Sequence, residues 1–187
     1  MGVIPENRCA VGVNRRVSGV EIVDNIILIG MPGAGKSSVG VVLAKAMGYD
    51  FLDVDLVIQE REGALLQDIL DQRGVEGFLD VEEAVIRDLD CTGTVIAPGG
   101  SAICREEAAR HLKELGLVVY LHVPLGELER RIRNITTRGI AMSPGQTLAD
   151  VYAAQEPLYR KYADLTVDVA GESSLEQTVA AVVARLR

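Results

Sequence analysis

The segment Gly30-Met-Pro-Gly-Ala-Gly-Lys36-Ser37 fits the pattern GxxxxGK[ST]. Residues of these types at this spacing form a phosphate cradle. The glycines let the backbone wrap around phosphate oxygens where a Cβ would intrude. Gly33, Ala34, Gly35, Lys36, Ser37 and Ser38 then offer successive N–H groups at a helix start, a site of positive potential. The Lys36 ammonium has the reach for β- and γ-phosphates, and the Ser37 hydroxyl suits Mg²⁺. The implied ligand is a nucleoside triphosphate, and the motif leaves the reaction open.

Two further segments carry chemistry. Asp53-Val-Asp55 follows a short apolar run, and a carboxylate at a strand end is placed to orient an attacking alcohol. A helical pattern follows, so N-capping is the structural alternative for either aspartate. Pro98-Gly-Gly-Ser101 is a turn that lets backbone approach a ligand closely. A GTPase would carry an NKxD-type base-reading motif, and none is found. Asp71-Gln-Arg-Gly74 matches DxxG but lies within a helical pattern. A small kinase fits the length better than a motor or translocating ATPase.

The elements that must position these groups follow from hydrophobic period. Asn25–Ile29 is a short apolar run suited to a strand buried on both faces. Lys36–Met47 is a predicted helix stopped by Gly48. Strands are predicted at Tyr49–Leu52, Thr94–Ala97, Leu117–Val123 and Leu165–Val169. Helical pattern spans 55–90 with breaks at Gly63 and Gly74, then Arg105–Leu115, Leu125–Asn134 and Thr147–Tyr162. Pro157 predicts a kink or break. Ser173 with Glu176, or Ser174 with Gln177, offers a capping box for the last helix. Strands alternating with helices imply a parallel sheet covered on both faces. Residues 1–24 read as an N-terminal extension, with one domain over 25–187.

Composition narrows the partners. The 187 residues carry 19 basic and 27 acidic side chains, a net charge of −8, and the isoelectric point is near 4.8. A nucleic-acid surface should be basic, so that role is not expected. No apolar run reaches the ~18 residues of a membrane span, and the N-terminus lacks a secretory pattern. Residues 49–91 hold 13 acids against 3 bases, whereas 105–138 hold 7 bases against 5 acids. An anionic ligand is expected near the second stretch. Cys9, Cys91 and Cys104 form no CxxC pair and fit reduced thiols in a cytoplasmic protein. His111 and His122 stand alone and read as structural.

With Glu156-Pro-Leu-Tyr159, these segments together resemble shikimate kinase over about Asn25 to Arg187. The resemblance implies an α/β three-layer sandwich with a five-stranded parallel sheet in the order 2-3-1-4-5. It implies a substrate-binding helical segment at about 55–90 and a lid at about 135–146. It implies ATP and Mg²⁺ as cofactors and a small hydroxylated molecule as substrate. A cytoplasmic monomer is the expected form. By position, Asp55 matches the aspartate that binds the acceptor hydroxyl, Asp53 the one that holds Mg²⁺, and Gly99 and Gly100 the substrate turn. Arg138 matches the lid arginine that closes on the phosphates. Arg131 is similar to the arginine that stacks on adenine, with Arg130 and Arg133 as competitors.

The resemblance breaks at four positions. The family's third glycine is Ser101, and its Pro after the lid arginine is Gly139. The two arginines that clamp the shikimate carboxylate are replaced by Leu79 and Gln155. Two charge-assisted hydrogen bonds contribute about 3–6 kcal/mol, or about 10²–10⁴-fold in affinity. Arg73, Arg105 and Arg160 are the candidates to restore that charge. The alternatives are a kinase of another hydroxylated metabolite and a nucleotide-binding module without phosphotransfer. A nucleoside-monophosphate kinase fits less well, because its lid carries several arginines.

Overall fold

The computed structural model describes residues 23–132, 140–143, 145–169 and 173–186. Three strands lie almost wholly inside, β1 (Asn25–Ile29), β3 (Thr94–Ala97) and β4 (Leu117–His122), with β2 (Asp50–Asp53) and β5 (Leu165–Asp168) at the two edges. All pair in parallel in the order β2-β3-β1-β4-β5. This is the order expected above. β1 is central and every one of its residues is buried, which explains its uninterrupted apolar run.

Helices cover the sheet. α1 (Lys36–Met47) packs with α7 (Leu175–Arg185), while α3 (Leu66–Arg87) packs with α2 (Val54–Glu62) and α4 (Glu106–Leu115). α5 (Leu125–Arg131) and α6 (Leu148–Tyr162) complete the layers. The core is one cluster of aliphatic side chains from the sheet and the helix faces turned to it. Asn25 closes its lower end. Its amide nitrogen donates to Cys91 O (2.7 Å) and Leu115 O (2.8 Å), and its oxygen accepts from Thr94 N (3.0 Å). One buried side chain thereby joins the segments entering β1, β3 and β4.

The break at Gly63 ends α2, and Gly74, with non-helical φ 69° and ψ −179°, divides α3 into two helical stretches across a kink, as expected. Several boundaries differ from expectation for identifiable reasons. A 3-10 turn at Gly100–Cys104 precedes α4 where loop was expected. α6 runs through Pro157 without interruption. It buries Leu148, Val151, Gln155 and Tyr159 on one face, and that packing offsets the missing backbone donor. Ser174 with Gln177, rather than Ser173 with Glu176, forms the capping box of α7. Residues 1–22 of the extension, and 135–139 and 144 of the lid expected at 135–146, lie outside the described residues.

Candidate active site

Parallel strands deliver their C-terminal ends to one edge, and the chemistry gathers there. β1 runs into the loop that opens α1. Gly33 (φ 81°) and Gly35 (φ 91°) adopt left-handed backbone that bends the loop around an empty centre. The first turn of α1 exposes Ser37 and Ser38 to the same space. Lys36 folds back, its Nζ donating to Gly30 O (2.8 Å) and Met31 O (3.2 Å). Desolvation lowers its pKa, while Asp55, Glu82 and Asp53 pull it upward. The loop is thus already shaped, with its cation held on its own carbonyls.

β2 ends at Asp53 and α2 carries Asp55, and the structure settles which of the two caps the helix. Asp53 is the N-cap of α2, its Oδ1 accepting from Asp55 N at 3.1 Å. Asp55 sits inside the first turn, so its carboxylate is released from capping and lines the cavity. Desolvation raises the Asp55 pKa, with Lys36 opposing and Asp53 adding to the rise. Among the described residues no group of three or more acidic, His or Cys side chains gathers as a metal cage. Ser37 and Asp53 are oxygen donors suited to a cation that keeps most of its water, as Mg²⁺ does.

β3 ends at the Pro98-Gly-Gly-Ser101 turn. A Cβ on Gly99 would overlap Glu82 Oε1 and lie 3.1 Å from Asp55 Oδ1, so only glycine leaves room for both carboxyls. Tyr159, buried and stacked on Tyr120 with ring centroids 5.0 Å apart, donates to Gly100 O at 2.6 Å. That bond pins the turn from α6. The cavity is about 300 Å³, with Lys36, Ser37 and Ser38 at one end and Asp55, Glu82, Gly99, Ser101 and Gln155 at the other.

Three of these groups escaped the sequence reading. Glu82 is 1% exposed, with Ser101 Oγ 2.6 Å from its Oε2, and its Oε1 has no hydrogen-bond partner among the described residues. Burial pushes its pKa up to about 7. Cys104 receives a hydrogen bond from Gln155 Nε2 at 3.5 Å, and burial pushes its thiol up to about 11. Tyr159 was read only as part of a motif. Glu82 stands four residues after Phe78 and four before Ile86, both buried. Its position on an apolar stripe was the signal available.

The residues expected to reshape the substrate end divide. Gln155 lines the cavity, whereas Leu79 is buried and does not. None of the three candidate arginines reaches the cavity. Arg73 pairs with Glu62, Arg105 with Glu76 (2.9 Å) and Asp80 (2.7 Å), and Arg160 with Glu156. Arg131 donates to Glu127 at 2.8 Å on α5, and Arg130 pairs with the same carboxylate. Arg133 and Arg138 lie outside the described residues. His122 holds Asp168 (2.7 Å) and Tyr152 (3.2 Å) at the ends of β4 and β5.

Comparison with known proteins agrees with this arrangement. The shikimate kinase family model matches residues 32–187. A shikimate kinase of Thiobacillus denitrificans is 40% identical over 153 residues, covering 80% of this chain and 84% of that one. A solved shikimate kinase from Acinetobacter baumannii, in complex with shikimate, is 32% identical with a TM-score of 0.79, over 87% of this chain and 92% of that one. The Aquifex aeolicus enzyme gives 30% and 0.74, over 87% and 95%. The chain therefore belongs to the shikimate kinase family and is a phosphotransferase that uses ATP and Mg²⁺ with an alcohol as acceptor.

Proposed function

We propose that Asp55 holds the acceptor hydroxyl and takes its proton as the oxygen attacks. The observation that carries this reading is the convergence of Lys36, Asp55 and Gly99 on one small cavity. A carboxylate whose pKa is raised by desolvation is a stronger base once ionised. Bound Mg·ATP supplies the phosphoryl group and part of the charge neutralisation. Gly33 to Ser38 cradle the phosphates through backbone N–H groups. Lys36, which rests on the carbonyls of Gly30 and Met31, would turn to the phosphate oxygens, and Ser37 and Asp53 would hold the cation. Gly99 and Gly100 bring backbone against the acceptor. Arg138 adds charge from the lid, and Arg131 lies against the base.

Shikimate, bound in the Acinetobacter relative, is the first acceptor to test. A second reading, an acceptor other than shikimate, is favoured by Gln155 in the cavity wall and by arginines engaged elsewhere. The enzyme is proposed to work as a cytoplasmic monomer. The thiol of Cys104 fits a reducing compartment, and no described helix is long and apolar enough to cross a membrane.

Asp55→Asn tests the assignment. Acceptor-dependent ADP release should fall about 10²–10⁴-fold, while Mg·ATP binding, read by calorimetry, persists. An unchanged rate would remove Asp55 from the reaction.

A further inference from the structure

The acceptor end of the cavity has an unusual balance of charge. Two carboxyl groups, those of Asp55 and Glu82, flank Gly99, and no arginine stands among the described lining residues. The one lining cation, Lys36, lies on the phosphate loop and is held by Gly30 and Met31. Glu82 is buried with one oxygen satisfied by Ser101 and the other by nothing described. A buried carboxylate without a counter-charge is costly to a fold. It persists where a ligand supplies the missing donor. Gln155 and Ser101 add neutral polar groups beside it.

We propose that the acceptor is an amino alcohol, whose hydroxyl sits on Asp55 and whose ammonium pairs with Glu82 Oε1. This rests on the phosphotransfer reading above and names its substrate class. The two carboxyl oxygens approach one point on Gly99, so a short carbon chain spans them. A carboxylate acceptor would instead face two acids, with Lys36, held on the phosphate loop, as the one cation among the described lining residues. An ammonium also draws the proton from Glu82, whose pKa stands at about 7 without a partner, so binding near neutrality releases protons. Transfer forms a phosphate ester O–P bond and breaks the bond from the γ-phosphorus to the bridging oxygen. ADP leaves, and the hydroxyl proton passes to Asp55.

The test is acceptor-dependent ADP release from Mg·ATP with 3-amino-1-propanol, L-serine, L-homoserine, 1,3-propanediol, myo-inositol and shikimate. Turnover should require the amine. Glu82→Gln, which keeps the shape and the Ser101 contact, should lower kcat/KM for the amine by about 100-fold and leave the KM for ATP unchanged. A purely structural Glu82 would move both values or neither. Turnover with shikimate or neutral diols in preference to amines would overturn the proposal and leave the phosphotransfer reading standing. Mg·ATP binding without turnover on any of the six would overturn both. Glu82→Gln with undiminished amine turnover would overturn the Glu82 pairing alone.

Discussion

The two ends of the cavity are built on different principles. The phosphate end is a single stretch of eight residues whose backbone does the binding, so its chemistry is written in consecutive letters. The acceptor end draws Asp55 from α2, Glu82 from α3, Gly99 and Ser101 from the turn after β3, and Gln155 from α6. Its chemistry is side-chain chemistry, assembled only by packing. The first can serve any acceptor, since a triphosphate looks the same to every kinase. The second can change one residue at a time, and in this chain an acid-lined pocket stands where the family resemblance implied arginines.

Substitutions can break this contrast apart. Lys36→Ala should have the largest effect, lowering phosphate transfer at least about 10³-fold with every acceptor, while thermal unfolding stays near wild type. A loss confined to one acceptor would place Lys36 in specificity instead. Gly99→Ala should act only at the other end. The added Cβ overlaps Glu82 Oε1 and crowds Asp55, so kcat/KM for the acceptor should drop about 100-fold with ATP affinity retained. Weakened ATP binding in that variant would mean the two ends are not separable.

A third prediction is on stability and concerns Glu82. In the folded protein it keeps its proton up to about 7, against an ordinary 4.5. Between these values the unfolded chain has released the proton and the folded one has not. Stability therefore falls as pH rises through that window and levels off above it, by about 3 kcal/mol. Glu82→Gln has no such term. Urea unfolding at pH 4 and pH 8 should show the variant gaining about 3 kcal/mol on wild type across the range. Parallel curves would mean Glu82 is ionised and paired in the folded state.

What the sequence made legible follows the same division. The phosphate loop and the five strands rest on contiguous patterns, whereas the sheet order was implied by the family resemblance; β1 illustrates the first kind, since four apolar residues in a row after Asn25 suit a strand covered on both faces. The choice of cap between Asp53 and Asp55 was not legible, because a small shift in the start of α2 decides which carboxylate is spent on backbone. Glu82 was hidden in an acidic run, Asp80-Val-Glu82-Glu83, that reads as a solvated helix face. Its burial comes from the turn after β3, 19 residues further on. Ser101 was noticed as a departure, but its partner could be named only in three dimensions. Pro157 misled for the converse reason, since local backbone cost was outweighed by the face α6 buries.

The most direct measurement is ³¹P nuclear magnetic resonance of the protein turning over Mg·ATP with the acceptors named above, shikimate and amino alcohols included. The account predicts ADP together with a new phosphomonoester resonance whose carbon-coupled splitting places phosphate on the acceptor hydroxyl. ADP with inorganic phosphate as the only other product, or ATP left intact with every acceptor, would contradict it.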